Sequence, residues 1–164
     1  MTKLLVLDVD GTLNDGTITY DTQGNELKSF SVKDGLAIAS WLKLGGDIAI
    51  ITGRESIITA KRASELGISL VFQGVQNKGD VLLQIVQQKN YSLDEIAIIG
   101  DDVNDIHMFM HSRLNFAPRD CSPLILPYVN HRLKHKGGRG AVREMIEIIL
   151  HKDGLYDDFM ALWL

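Results

Sequence analysis

Between Leu4 and Asn14, four apolar residues lead directly into Asp8, Val9, Asp10 and Gly11, an arrangement that few folds can accommodate. A continuous apolar run of this length is typical of a strand that is buried on both faces of a parallel sheet. The glycine can adopt the tight turn that ends such a strand. The two carboxylates would then face the crevice in which open α/β sheets bind their ligands.

Asp8 and Asp10 together indicate metal-dependent phosphoryl transfer. Two partly buried anions repel each other, and a divalent cation that prefers hard oxygen ligands, such as Mg²⁺, would relieve that repulsion. One aspartate could attack phosphorus and carry it as an aspartyl-phosphate, while the other acts as general acid and then as general base. The simpler alternative is a strand end whose aspartates only cap a turn.

The composition is that of an ordinary globular domain. The chain has 164 residues, of which 45% are hydrophobic, and a formal net charge of -4, which argues weakly against a nucleic-acid-binding protein. The single Cys121 excludes an intrachain disulfide. No apolar run approaches the roughly 20 residues that a membrane span needs, and the first strand begins too early for a signal peptide. We therefore expect a cytoplasmic protein with no membrane or nucleic-acid partner.

Strands and helices alternate along the chain, which predicts a doubly wound parallel α/β sheet in one domain, residues 1–164. Residues 15–34 carry two β-prone segments around a turn, and we expect a β-hairpin flap there, with Val32 in its second strand. The apolar tail 155–164 should fold onto its own domain or onto another subunit. The predicted strands lie at 4–7, 47–51, 70–72, 96–99 and 114–117, and the predicted helices at 34–44, 56–66, 78–89, 106–111, 122–129 and 141–151.

Other strand and helix ends carry polar groups that could share one phosphoryl site with the first strand. Thr52 and Gly53 end a buried strand, and their hydroxyl and N–H can hold phosphate oxygens. Lys78 begins a helix, and its ammonium can neutralise a phosphate and hold the Asp8 side chain. A further group of carboxylates follows a later strand and could complete a magnesium site. These carboxylates are Asp101, Asp102 and Asp105.

In order, these segments resemble the four motifs of the haloacid dehalogenase superfamily of phosphatases. The motifs are Asp-Val-Asp-Gly-Thr from Asp8, Ile-Thr-Gly-Arg ending at Arg54, the single Lys78, and Gly-Asp-Asp-Val-Asn-Asp ending at Asp105. The resemblance implies the Rossmann-like fold of that superfamily. Only the hairpin lies between the first two motifs, so no cap domain is expected.

The resemblance also implies a role for each motif residue. Asp8 would be the nucleophile and Asp10 the general acid and base, while Thr52 and Lys78 would bind the phosphoryl group. The implied Mg²⁺ ligands are Asp8, the backbone carbonyl of Asp10, and Asp101. The remaining acids of the fourth motif, which would orient Lys78 or metal-bound water, are Asp102 and Asp105.

Two further segments, Phe-Ser-Val-Lys-Asp-Gly at 30–35 and Gly-Gly-Arg-Gly-Ala-Val-Arg-Glu at 137–144, resemble a capless family within the superfamily, the 3-deoxy-D-manno-octulosonate 8-phosphate phosphatases. The resemblance implies a homotetramer that hydrolyses this sugar phosphate for lipopolysaccharide synthesis. Lys33 stands where the family pattern has arginine. The additional substrate contacts implied are Ser31, Lys33, Asp34, Gly35 and Gly53, with Arg54 and Arg62 supplied by an adjacent subunit.

Three other interpretations stay open at this point. The substrate could be a related nine-carbon sugar-acid phosphate or a nucleotide. The chain could be a signalling receiver domain, although such a domain carries its phosphoacceptor on a later strand, whereas Asp8 and Asp10 share the first one. It could also be a catalytically dead subunit. The basic run His131 to Lys136 is predicted to be a solvated loop.

Overall fold

The structure, a computed structural model, describes residues 1–164. It consists of a parallel sheet flanked by helices. The strands are β1 (Leu4–Leu7), β2 (Thr19–Tyr20), β3 (Glu26–Leu27), β4 (Asp47–Ile51), β5 (Leu70–Phe72), β6 (Ile96–Ile99), β7 (Asn115–Ala117) and β8 (His131–Arg132). The helices are α1 (Val32–Lys43), α2 (Ile57–Leu66), α3 (Lys78–Lys89), α4 (Ile106–Phe109), α5 (Ala141–Asp153) and α6 (Tyr156–Ala161). Short 3-10 turns lie at Leu93–Glu95, Val103–Asp105 and Pro123–Tyr128.

The six-stranded sheet has the order β5-β4-β1-β6-β7-β8, and all its neighbouring strands are parallel. Strand β1 therefore lies between β4 and β6, where the strand order reverses. In open α/β sheets this reversal opens a crevice at the carboxyl ends of the strands. The predicted doubly wound parallel sheet is confirmed, and the predicted acid-bearing strand lies at its switch point.

Successive residues of β1 point to opposite faces of the sheet, and both faces are covered. Leu5 and Leu7 belong to a core shared with α1, α2 and α5, whereas Leu4 and Val6 belong to a second core shared with α3 and α4. Each such side chain contributes about 1.5–3 kcal/mol through burial. This double burial explains why the strand sequence is continuously apolar.

The hairpin of β2 and β3 is present, but it is shorter than predicted. Its antiparallel pairs are Thr19 with Leu27 and Tyr20 with Glu26. The prediction that Val32 belongs to its second strand was wrong. The hydroxyl of Ser31 accepts a hydrogen bond from the Asp34 N–H at 3.3 Å, which caps α1, and the helix therefore begins at Val32.

Three other regions refine the predictions. Helix α4 ends at Phe109 rather than at residue 111. Part of the supposed loop 131–136 is the edge strand β8, in which His131 stacks on Phe116 with the ring centroids 4.8 Å apart. The tail forms α6, and Phe159 is buried in the core beside α5. None of the helices combines the length and the apolar character that crossing a membrane requires.

Candidate active site

Asp8 lies one residue beyond β1 and is almost completely buried. Its N–H donates to the Ile99 carbonyl at 3.1 Å, so the ladder between β1 and β6 continues to this residue. Gly11 then turns the chain with φ +98°, and a side chain there would collide with the Asp101 carboxylate. The glycine therefore allows the loop after β1 to approach the loop after β6.

Lys78 forms the centre of a buried ionic group. Its Nζ lies 2.6 Å from Oδ1 of Asp8 and 2.6 Å from Oδ1 of Asp105, and its side chain is 1% exposed. Burial alone would lower the pKa of Lys78, but attraction to these two carboxylates outweighs it and raises the pKa. Because Lys78 is the first residue of α3, the position of that helix fixes the ammonium.

Asp105 links this ionic group to the loop after β6. Its second oxygen, Oδ2, accepts hydrogen bonds from the N–H groups of Asp101 at 2.8 Å and Asp102 at 3.3 Å. Both of its oxygens are thus engaged by the protein. The Asp102 side chain instead accepts from the Val103 N–H at 2.7 Å and is exposed. Of the two predicted supporting acids, Asp105 is the one in contact with Lys78.

Carboxylate oxygens of Asp8, Asp101 and Asp105 all lie within 4.8 Å of one another. Burial, together with repulsion from Asp105, raises the pKa of Asp8 to about 6. Burial and repulsion from Asp8 and Asp105 raise the pKa of Asp101 to about 9. Three carboxylates and one ammonium sum to a charge of -2 when all are ionised. A divalent cation with a preference for oxygen ligands fits this donor set.

Thr52 and Gly53 lie at the next strand end. Leu7 pairs with Ile50 in the sheet, so Thr52 follows β4 one residue beyond the level of Asp8. Its backbone is held by β5 and the loop behind it, since its N–H donates to Phe72 at 2.9 Å and its carbonyl accepts from Val75 at 3.1 Å. A Cβ on Gly53 would lie 3.8 Å from Nδ2 of Asn104, which places this strand end beside the acidic loop.

Asp10 faces the hairpin rather than the ionic group around Lys78. Its Oδ1 accepts from Nζ of Lys28 at 2.7 Å and from Nδ2 of Asn14 at 2.8 Å. Its Oδ2 lies 3.9 Å from Nε of Arg54, and Nη2 of the same guanidinium lies 3.5 Å from Oε1 of Glu26. The predicted residue Arg54 therefore lies between the acid of the first motif and the flap of the same chain.

Sequence reasoning missed two polar side chains that contact Asp10, Asn14 and Lys28, and a third, Glu26, that pairs with Lys28. A signal for two of them was present, because residues two apart on a strand share a face. In the predicted segment 26–32 this rule puts Glu26 and Lys28 side by side, and Lys28 lies 3.4 Å from Glu26 in the structure. For Asn14 the sequence holds no comparable signal, since its contacts depend on the local turn.

The other predicted substrate contacts lie where α1 meets α2 and α5. Nη2 of Arg62 donates to the Ser31 carbonyl at 3.4 Å, and a Cβ on Gly35 would lie 2.4 Å from this nitrogen, so a side chain there would force Arg62 to move. Asp34 is buried, and its Oδ1 accepts from the Arg143 N–H at 2.8 Å at the start of α5. Burial raises the pKa of Asp34. These residues do not contact the Lys78 group within one chain, and their role in substrate binding stays a prediction.

Lys33 lies in the first turn of α1, between Ser31 and Asp34. It lines two neighbouring cavities of about 300 and 410 Å³, both of which it shares with Arg139. The first cavity also contains Asp15 and Ser31, and so borders the loop that follows the first strand. This position is compatible with the predicted contact of Lys33 with an anionic substrate. Because no contact within the chain tests that role, it stays a prediction.

The sequence profile of the haloacid dehalogenase-like hydrolases matches residues 56–146 of this chain. This matched segment contains Lys78 and the acidic loop after β6. The parallel sheet, the acids at its switch point and the buried lysine agree with that match. Fold and site thus define a haloacid dehalogenase-like hydrolase, as the four motifs predicted.

Individual relatives narrow the class further. The chain is 39% identical over 148 residues to the 3-deoxy-D-manno-octulosonate 8-phosphate phosphatase of Yersinia pestis, covering 90% of this chain and 79% of that one. The enzyme of the same name from Haemophilus influenzae is 37% identical over 152 residues, which cover 93% and 84% of the two chains. The chain belongs to the family of 3-deoxy-D-manno-octulosonate 8-phosphate phosphatases, and the predicted resemblance is confirmed.

Solved structures agree with this assignment. The phosphatase of Moraxella catarrhalis, in complex with a magnesium ion, a phosphate ion and a KDO molecule, superimposes with a TM-score of 0.95 at 36% identity over 99% of this chain and 94% of that one. The cobalt-bound phosphatase of Haemophilus influenzae gives a TM-score of 0.89 at 37% identity, covering 93% and 90% of the two chains. The sheet and its crevice are therefore shared with enzymes that hold a divalent metal ion.

Proposed function

We propose that this protein is a Mg²⁺-dependent phosphomonoesterase that hydrolyses 3-deoxy-D-manno-octulosonate 8-phosphate to the free sugar acid and phosphate, in lipopolysaccharide precursor synthesis. The observation that carries the proposal is the contact of Lys78 with Asp8 and Asp105, beside Asp101, at the switch point of the sheet. The relatives of known name, which match nearly the whole chain, support the choice of substrate.

In the first step we assign Asp8 as the nucleophile. One of its carboxylate oxygens forms a bond to phosphorus as the bond from phosphorus to the sugar oxygen breaks. Asp10 donates a proton to that departing oxygen, which becomes the free hydroxyl of the sugar. Lys78, held by Asp105, offsets the charge of the phosphoryl oxygens, and Thr52 and Gly53 supply a hydroxyl and an N–H to the same oxygens.

In the second step Asp10, now a carboxylate, takes a proton from a water molecule. The water oxygen bonds to phosphorus, the bond from Asp8 to phosphorus breaks, and inorganic phosphate leaves. Asp8, Asp101 and the carbonyl of Asp10 are the groups that would hold Mg²⁺. The ion, when bound, would supply positive charge to the phosphoryl oxygens and relieve the repulsion between the carboxylates. Asp102, on the exposed side of the same loop, remains a candidate to orient bound water.

The substrate assignment is tested by phosphate release from a panel. The panel contains the eight-carbon sugar-acid phosphate, a nine-carbon sugar-acid phosphate, a nucleotide monophosphate and a simple sugar phosphate. We expect the highest kcat/KM for the eight-carbon compound, loss of activity with a chelator, and recovery when Mg²⁺ is added back. A higher kcat/KM for either alternative would reassign the substrate, and an aspartyl-phosphate that forms without turnover would favour a receiver-like domain.

We also infer that the protein is a cytoplasmic homotetramer in which the hairpins contribute to the subunit contacts. Tyr20 and Leu27 of the hairpin are 60% and 52% exposed, and Val32, which begins α1 a few residues later, is 79% exposed. Large apolar side chains exposed along one segment favour burial against another protein surface. Light scattering should give four chains for the wild type and fewer for Leu27→Asp. A monomeric wild type would contradict the inference.

A further inference from the structure

The hairpin supplies a lysine whose environment resembles that of Lys78. The Lys28 side chain is 0% exposed, although it extends from a segment with exposed neighbours such as Leu27. Burying an ammonium costs several kcal/mol unless carboxylates pair with it. Its nearest carboxylate is Asp10 at 2.7 Å, and Glu26 follows at 3.4 Å. The lysine is therefore held at Asp10 and cannot be regarded as a solvated surface charge.

Lys28 and Asn14 approach the same oxygen of Asp10, which is Oδ1, at 2.7 and 2.8 Å. The orientation of the Asn14 amide is fixed, because its oxygen accepts from the N–H groups of Gly11 at 3.0 Å and Gly16 at 2.9 Å. Its nitrogen must therefore face Asp10. Two donors therefore hold Oδ1, while the nearest cation to Oδ2 is Arg54 at 3.9 Å. The two oxygens of Asp10 are thus not equivalent.

We propose that Lys28 is a positioning residue for proton transfer: with Asn14 it holds Oδ1 of Asp10 and leaves Oδ2 as the oxygen that carries the proton. This inference rests on the proposed function, in which Asp10 is the general acid and base. Oδ2 gives its proton to the sugar oxygen as the bond from phosphorus to that oxygen breaks. It then receives a proton from the water that forms the new bond to phosphorus.

The proposal also assigns a function to the hairpin. An isolated two-stranded hairpin is only marginally stable, and here each strand has two paired residues. The hydrogen bond from Lys28 to Oδ1 of Asp10 joins the hairpin to the loop after β1. The order of the flap and the orientation of Asp10 therefore depend on the same contact. Without Lys28, Asn14 would be the remaining donor to Oδ1 of Asp10.

The test compares Lys28→Met and Lys28→Arg with the wild type in single-turnover measurements of aspartyl-phosphate formation. Two substrates are used: the sugar phosphate, whose leaving oxygen needs a proton, and para-nitrophenyl phosphate, whose leaving group departs as an anion. We expect Lys28→Met to slow the sugar reaction about tenfold or more while changing the nitrophenyl reaction less than about threefold. Lys28→Arg should recover part of the rate.

Lys61→Met serves as the matched control, since Lys61 is exposed on α2 and the chemical change is the same. It should leave both rates unchanged. Equal losses with both substrates for Lys28→Met would show a general structural effect and overturn the proposal, as would unchanged rates with both. A thermal melt of each variant separates either result from unfolding.

The Lys28 experiment can succeed or fail independently of the substrate assignment. If the wild type hydrolyses other alkyl phosphates but not the eight-carbon sugar-acid phosphate, the substrate assignment fails, and the Lys28 comparison on those alkyl phosphates decides the positioning role in the same way. A wild type that transfers phosphate from neither alkyl nor nitrophenyl esters overturns both proposals.

Discussion

The two aspartates that follow β1 are each paired with a lysine whose side chain is buried, but the two pairs are built by different regions of the molecule. Asp8 meets Lys78, which begins the twelve-residue helix α3 and is also held by Asp105. Asp10 meets Lys28, which follows a strand of two residues. The phosphoryl end of the site is thus built on the sheet and its helices, and the proton-transfer end on a flap.

The two aspartate–lysine pairs differ in the kind of element that holds them. The carboxylates around Lys78, which repel one another, are held by elements that pack into large apolar cores. Breaking one of their contacts would therefore also disturb the packing of a helix. The group that must exchange a proton with the substrate is held by a segment with little packing of its own, the low-stability kind of element that can move. Changes on the inner side should therefore affect both stability and chemistry, and changes on the flap mainly the chemistry.

The largest effect is expected for Asp8→Asn, which removes the proposed nucleophile. Turnover should fall by at least about a thousandfold. The amide also removes one of the two carboxylates that pair with buried Lys78, so Asp8→Asn should lower the stability as well. Steady-state phosphate release and a thermal melt measure the two effects. Asp94→Asn, at an exposed position, is the control and should change neither, whereas substantial activity in Asp8→Asn would eliminate the nucleophile.

A smaller effect is expected for Gly11→Ala, with Gly24→Ala as its matched control. Both glycines have positive φ, +98° and +82°, so each alanine should cost about 1–2 kcal/mol of stability. Only at Gly11 would the new methyl group collide with Asp101, while at Gly24 on the flap it meets no atom within 4 Å. We expect Gly11→Ala to lose activity by about a hundredfold and to need more Mg²⁺, with Gly24→Ala nearly as active as the wild type.

Similar activity losses at the two glycines would show that backbone strain, and not the position of Asp101, governs the result. The expected difference between the inner site and the flap would then not hold at Gly11. Titration of activity with Mg²⁺ distinguishes the cases, because strain alone does not change the concentration of metal ion that is needed.

Asp105→Asn tests the inner lysine in the same manner. Removing one partner of a buried ion pair costs about 3 kcal/mol, and the amide would present an NH₂ group to Lys78 if its oxygen keeps the two backbone bonds. We expect that loss of stability in denaturant unfolding and about a tenfold loss of kcat. Asp47→Asn is the control, since its pair with Lys89 is partly exposed and should contribute less than about 1 kcal/mol. Equal losses in the two variants would contradict the account.

Much of the inner site could be predicted because it follows local rules. The predicted bounds of β4, α3 and β6 agree with the structure, since continuous apolar runs mark the strands and Asn77 caps the helix through the Asp80 N–H. Asp8 and Lys78 lie at the ends of such elements. Once the parallel sheet is predicted, its geometry brings those ends together.

The outer half could not be predicted to the same extent. The contact of Lys28 with Asp10 depends on how the hairpin folds back over the sheet, which no periodicity in residues 15–34 determines. The predicted strand does not continue to Val32, because the Ser31 side chain caps α1. Val32 is nevertheless a residue type that is common in strands. Strand β8 has only two residues, too few to show alternation. In each case a tertiary or capping contact decided the outcome.

The roles of Asp8 and Asp10 can be read from the intact mass of Asp10→Ala after mixing with para-nitrophenyl phosphate and Mg²⁺. If Asp8 is the nucleophile and Asp10 activates water, the variant should gain the mass of one phosphoryl group and keep it, because the second step has lost its base. The double variant Asp8→Asn with Asp10→Ala should gain nothing. A phosphoryl group on the double variant, or none on the single variant while phosphate is still released, would contradict the account.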